Sequence, residues 1–500
     1  MLRKKNYRIC LLICFAIPLF RFITHAQELN VIKQKEKVSP KSRDEKIRKA
    51  SWKLKDNVLD KVPVAGKIVN EEKDDKTDTI IWTLSNGAKF ILKNVPKKHE
   101  NDDDCRLYAL AKGGILNLPK KDIVSALYVN TVFYERWYDK KFPNHDIPNL
   151  SINLFTHSLG AFIDTNKTSV KSLFESFYWT FTNLKIDYKS LKAYAAKEKA
   201  ILKYRDSAGK TNNSLINRLN DDLNIIYNDP YYLCHLHPHN YISYSVPNFD
   251  KFNINTIDKL LKKYLNPADY TFVLAISIDD NVRNHIKEYV ETYLASIPAS
   301  KEMSTLPESK ITFISGVKNI SHIEDAHKYL YERMYFVVHD QHMPKNRIVA
   351  DILQRYLCRT TRVLKEYNDC CNSCSKNTEV GNRNAVFSIS FRCTANNVDK
   401  KVTATIDDIK AIAAGKIDLN IFNKIKENMK KDYEKDLQCK WWLADTYANF
   451  VVIYDKPLID IYENKKIYDD VTPKDLQEVT TKILTEGISY ILEYPKSLKK

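Results

Sequence analysis

Two apolar runs, Ile80-Ile81-Trp82-Thr83-Leu84 and Ala88-Lys89-Phe90-Ile91-Leu92, flank Ser85-Asn86-Gly87. Asn-Gly between such runs predicts a tight β-hairpin, because both residues tolerate the positive φ that the turn demands. Short apolar runs predict further strands over 106–111, 150–155, 160–164 and 270–276, with Gly113-Gly114 punctuating the end of the first of them. Between them the apolar spacing lengthens to about 3.6 residues, which predicts helices over 121–137 (Ile123, Leu127, Val132, Phe133), 167–184, 254–264 and 280–294. A long charged helix is predicted over 188–204, and a loop through Asp229-Pro230. From about Ile311 a similar order returns: strands at 335–338 and 385–393, helices at 346–366, 399–414 and 419–437, the last running into Trp441-Trp442. The chain closes with a helix over 473–484 and a strand over 488–494. This predicts an α+β fold with a weak internal duplication.

The net charge is positive but diffuse. The 79 Lys and Arg against 62 Asp and Glu leave +17, but the excess is scattered and no recognition motif accompanies it, so nucleic acid is not an expected partner. With only 10 glycines the chain carries no Gly-rich phosphate loop, which argues against a nucleotide-binding enzyme.

The amino terminus has its own pattern. Arg3, Lys4 and Lys5 precede an apolar run from Ile9 to Phe20, and Thr24-His25-Ala26 ends it with small residues. That three-part layout predicts a signal peptide over 1–26 and an exported protein, in the periplasm, cell envelope or outside the cell. A run of about 12 residues is too short to span about 30 Å of hydrocarbon, so no membrane span is expected once the signal is cleaved. Residues 27–78 are rich in Lys, Glu and Asp and predict a charged lead-in. Two domains then follow, at 79–300 and 301–500. Cys105, Cys234, Cys358, Cys370, Cys371, Cys374, Cys393 and Cys439 remain after the signal, and export permits disulfides among them, with pairing left open.

Four segments carry a resemblance: Thr83-Leu84-Ser85-Asn86-Gly87-Ala88-Lys89, the pair Gly113-Gly114, Tyr264 through Val273, and Tyr293-Leu294-Ala295-Ser296-Ile297-Pro298. Together with the helix 419–434 leading into Trp441-Trp442-Leu443, they resemble the insulinase/pitrilysin zinc peptidases over about residues 79–496, and most closely the non-catalytic carboxy-terminal half of longer members. The resemblance implies two tandem metallopeptidase-like domains, each a mostly antiparallel sheet covered by helices, forming half of a clamshell around peptide.

Active members carry H-x-x-E-H, whose histidines bind zinc while the glutamate activates water. None of the 12 histidines here begins or ends such a motif. The helix where the resemblance would place it reads Ser125-Ala126-Leu127-Tyr128-Val129, without imidazole or carboxylate. The helix that would supply a third ligand holds Glu198, which reads more simply as part of a solvated face. The family also grips its substrate with Arg and Tyr seven residues apart. The corresponding positions here are Lys365 and Asn372, candidate substrate-binding residues without the planar fork or the phenol.

Rival sites have plain readings beside them. His235, His237 and His239 alternate and on an extended segment would share one side, the strongest alternative metal site, although Pro238 and the Tyr-rich surroundings suit an exposed loop. Cys370, Cys371 and Cys374 could be half of a zinc knuckle, but in an exported chain they suit disulfides better. His322 and His327 are spaced for different helical faces. The expectation is therefore a non-catalytic homologue that needs no cofactor. It would bind peptide or unfolded polypeptide and pair with an active zinc-peptidase subunit of the same family. Two alternatives remain: a divergent metal-dependent peptidase using zinc, or a self-associating, peptide-binding homodimer at the envelope.

Overall fold

A computed structural model of the chain describes residues 59–97, 105–114, 149–152, 156–163, 170–183, 253–300, 318–323, 330–339, 344–362, 371–380, 384–393 and 397–495, with single helical positions at 122, 125, 189, 192, 193, 196 and 200. The predicted hairpin forms: β2 (Thr79–Leu84) and β3 (Lys89–Asn94) pair antiparallel. Gly87 closes the turn at φ 87°, and its N–H donates to Leu84 O at 2.9 Å. The Asn86 amide donates to Leu294 O at 2.8 Å and Ile297 O at 3.0 Å, so the turn is tied to a segment about 210 residues away.

The first sheet adds β1 (Ile68–Asp74), β4 (Cys105–Lys112), β5 (Asn149–Ile152), β6 (Thr156–Ile163) and β7 (Tyr270–Ile276), in the order β1-β2-β3-β7-β4-β6-β5. Only β3 and β7 run parallel. β7 is central and buried at every position, which explains its unbroken apolar run Tyr-Thr-Phe-Val-Leu-Ala-Ile. Tyr270, Phe272 and Leu274 join a core with α1 (Val170–Asn183), α2 (Ile254–Tyr264) and α3 (Asp280–Tyr289) on one face. Val273 and Ala275 meet a second core on the opposite face.

The second sheet contains β8 (Lys318–Ile323), β9 (Leu330–His339), β10 (Cys371–Val380), β11 (Asn384–Cys393) and β12 (Ser489–Pro495), ordered β10-β11-β9-β12-β8, with only β12 and β8 parallel. Taken in chain order, β3 to β7 and β8 to β12 occupy the same sheet positions with the same directions. A helix also falls between the second and third strand of each set: helical positions 122 and 125 in the first, α4 (Pro344–Arg362) in the second. Duplication is thus a matter of topology, and the β1–β2 extension distinguishes the first sheet.

Helices α5 (Val398–Ala413), α6 (Leu419–Asp436) and α9 (Pro473–Glu486) complete the second half. α9 starts where the sequence demands: Thr472 and Asp475 form a reciprocal capping box and Pro473 fills the first turn. Between α6 and α9 lie α7 (Lys440–Asn449) and α8 (Ile459–Asp470). α7 packs against β4 and β7 of the first sheet, where Leu443, Ala444, Tyr447 and Ala448 meet Ile91, Leu110, Val273 and Ala275. The two halves therefore share a core.

Several expectations are corrected. Residues 68–74, assigned to the charged lead-in, form β1; its residues between Ile68 and Asp74 are solvent-exposed, so hydrophobic alternation never develops. β8 and β10 were not foreseen, and β10 (Cys-Asn-Ser-Cys-Ser-Lys-Asn-Thr-Glu-Val) carries no apolar pattern to announce it. Trp441 and Trp442 do not end the long helix but open a separate one. The leader 1–26 lies outside the described residues.

Candidate functional site

The place to test for peptidase chemistry is the exit of β4. Gly113 and Gly114 take φ values of 154° and 87°, conformations that residues with a Cβ adopt only under strain. The Tyr264 hydroxyl donates to Gly114 O at 3.1 Å, and the Tyr270 hydroxyl donates to Tyr264 O at 2.6 Å. Burial first, and the charge of Asp122 second, push the Tyr264 phenol above its ordinary value, so it stays a proton donor. In the helix that follows, Ser125 is fully buried and its Oγ accepts from the Asn253 N–H at 3.1 Å. At this position the chain uses a hydroxyl to anchor the start of α2. A serine hydroxyl and two phenols form a structural clasp and supply neither a zinc ligand set nor a general base.

α4, the counterpart helix of the second half, reads Pro-Lys-Asn-Arg-Ile-Val-Ala-Asp-Ile-Leu-Gln-Arg-Tyr-Leu-Cys-Arg-Thr-Thr-Arg, again without histidine. Among the described residues no three His, Cys, Asp or Glu are grouped to hold a metal. His235, His237, His239, Glu198, Lys365, Cys234 and Cys370 lie outside the described residues. Asn372 lies on β10 across from Phe391. His322 lies on β8. Cys358 on α4 is disulfide-bonded, which removes it from any zinc knuckle.

Two polar constellations were not foreseen. On the α7 face of the first sheet, Arg106 Nη2 lies 2.8 Å from Asp445 Oδ1 and donates to Oδ2 at 3.0 Å. Its guanidinium stacks 4.2 Å from the Trp441 ring and 5.2 Å from that of Tyr108. Nothing local signals a pair 339 residues apart.

The second is a cleft of about 310 Å³ among α4, α6, α7, α8 and the helical turn Phe450–Tyr454. Arg347, Asp351 and Arg355 face it from successive turns of α4, and Asp432 and Asp436 from successive turns of α6. Arg355 lies 3.7 Å from Asp432. Burial, then the neighbouring Asp432 charge, raise the Asp436 carboxyl above its ordinary value. The i, i+4, i+8 stripe of alternating charge on α4 was legible in the sequence, but it reads equally well as a solvated helix face.

Residues 251–429 match the family model of the peptidase M16 inactive domain. The resemblance to the insulinase/pitrilysin peptidases holds. The M16-type fold extends over most of the chain: the periplasmic protease PqqL from Escherichia coli superposes with a TM-score of 0.67 at 17% identity, covering 88% of this chain and 48% of that one. A protease from Helicobacter pylori gives a TM-score of 0.65 at 15% identity, covering 83% of this chain and 99% of that one. A peptidase M16 inactive domain from Pseudomonas fluorescens gives 0.60 at 11%, covering 85% and 100%. The chain spans about half the length of PqqL. No curated protein matches it in sequence. The family-model match is to the M16 inactive domain, and the sequence carries no H-x-x-E-H. No helix among the described residues is long and apolar enough to cross a membrane.

Proposed function

We propose that the chain is an exported, non-catalytic M16-type subunit that binds peptide or unfolded polypeptide and works beside a zinc-bearing partner of the same family. The observation that carries this reading is the exit of β4, where a buried Ser125 anchors α2 at the place the resemblance assigns to the zinc motif. Loss of the motif removes hydrolysis but leaves the means of holding a peptide. The first sheet ends in β1 and β5, and a strand edge can accept an extended chain through backbone hydrogen bonds. Export rests on the layout of residues 1–26.

Co-expression of the chain with an M16 peptidase that carries H-x-x-E-H, followed by light scattering, tests the pairing. A stable one-to-one complex whose peptide turnover exceeds that of the partner alone supports it. A monomer or homodimer that leaves the partner's turnover unchanged contradicts it.

A further inference from the structure

The cleft bounded by α4, α6 and α8 holds an unmet polar demand. Asn464, on α8, lines it and is 1% exposed, yet its Oδ1 has no hydrogen-bond partner among the described residues. Its Nδ2 is occupied, donating to the Tyr433 hydroxyl at 3.4 Å, while that hydroxyl donates to Ile461 O at 2.6 Å. The amide orientation is thus fixed by its donor side, leaving the acceptor without a partner. A buried acceptor left without a donor is destabilising, so a group bearing N–H or O–H that reaches it is favoured.

The surrounding charges decide which group. Arg347 lies over the rings of Phe450 and Tyr454, at 5.7 Å and 5.4 Å from their centroids, and Arg355 leans toward Asp432. Both guanidinium groups are accommodated by the walls. Asp432 already pairs with Arg355 at 3.7 Å and with Lys435 at 3.9 Å, whereas Asp436, one helical turn on, presents its carboxyl group from the α6 side of the cleft. Trp442 and Tyr468 complete an aromatic lining of the kind that favours a cation over its π-faces. An anion would meet the unpaired carbonyl oxygen and Asp436, while the two arginines are already engaged with the rings and with Asp432. A neutral apolar group would leave Asn464 unsatisfied.

We infer that this cleft is a binding site for an organic cation bearing N–H donors, an ammonium or guanidinium group, which donates to Asn464 Oδ1 and is balanced by the Asp436 carboxylate. The volume, at the lower limit of ligand pockets, suits a group the size of one basic side chain. It does not depend on pairing with a peptidase and goes beyond that reading.

The test is calorimetric titration of the intact chain with two probes: agmatine, a small free cation with one ammonium and one guanidinium group, and a blocked tetrapeptide containing one lysine. Binding of agmatine identifies a small free cation; binding of the peptide alone identifies a basic side chain of a polypeptide; either supports the site. Asp436→Asn, which keeps the shape of a half-buried side chain, is expected to weaken binding by about ten-fold or more, and Asn464→Ser likewise. Succinate is expected not to bind. No binding of either probe at millimolar concentration by the folded chain overturns the inference, as does binding that survives both substitutions. Should Asn464→Ser fail to fold, Asp436→Asn decides alone.

Discussion

Arg106 on β4 and Asp445 on α7 form an ion pair that joins the first sheet to the second half of the chain, with Nη2 to Oδ1 at 2.8 Å and the Trp441 ring stacked on the guanidinium. Burial outweighs the arginine's pull and raises the Asp445 carboxyl to about 6. An acid with a raised folded value binds its proton more tightly folded than unfolded. Its contribution to stability is therefore full below about pH 4, the ordinary carboxylate range, and is lost as pH rises toward 6. Asp445→Asn removes that titration while keeping the side-chain shape. The stability of the parent relative to this variant is expected to fall by about 1–3 kcal/mol between pH 4 and pH 6 in urea melts, with the lower part of that range favoured because the Asp445 side chain keeps 30% of its surface exposed. A difference that stays flat across that window contradicts the assignment.

The shared core makes a second prediction. Leu443 on α7 is fully buried against the first sheet. Leu443→Ala is expected to cost about 2–5 kcal/mol, through lost burial and the cavity left behind. Leu419→Ala, at a 57% exposed position, should stay within about 0.5 kcal/mol of the parent. Equal effects at the two sites in thermal or urea melts would mean that α7 does not dock on β4 and β7.

A third prediction concerns where folding starts along the chain. Gly66 donates its N–H to Glu291 O at 2.9 Å, and a Cβ at this position would collide with the Ala295 carbonyl. Backbone cannot yield as a flexible side chain can, so Gly66→Ala is expected to destabilise by about 1–3 kcal/mol and to increase proteolysis near residues 60–68. An unchanged melting temperature would return the segment before β2 to the status of an unstructured lead-in.

Much of the architecture was legible because its signals are local. The Asn86-Gly87 turn, the buried run of β7 and the amphipathic α2 each declare themselves within a dozen residues, and α2 and β7 occupy the predicted spans. Sequence failed where burial departs from a simple period. β1 is an edge strand with its middle residues in solvent. α7 buries residues toward the first sheet while Trp442 meets Tyr433 of α6 edge-on at 5.3 Å, so no single apolar stripe marks it. The Arg106–Asp445 pair and the Asn464 cleft escaped for a different reason: each is assembled from elements far apart in the chain. The negative result on H-x-x-E-H was available from sequence alone, and the structure adds what Ser125 does in its place.

The most direct test of the non-catalytic reading is metal content by mass spectrometry on the purified mature chain, equilibrated with zinc and assayed beside it with a fluorogenic peptide, without a partner. The account predicts markedly substoichiometric zinc and no cleavage above background. One equivalent of zinc with chelator-sensitive cleavage, lost when His235, His237 and His239 are replaced, would contradict it and make the chain a divergent metal-dependent peptidase.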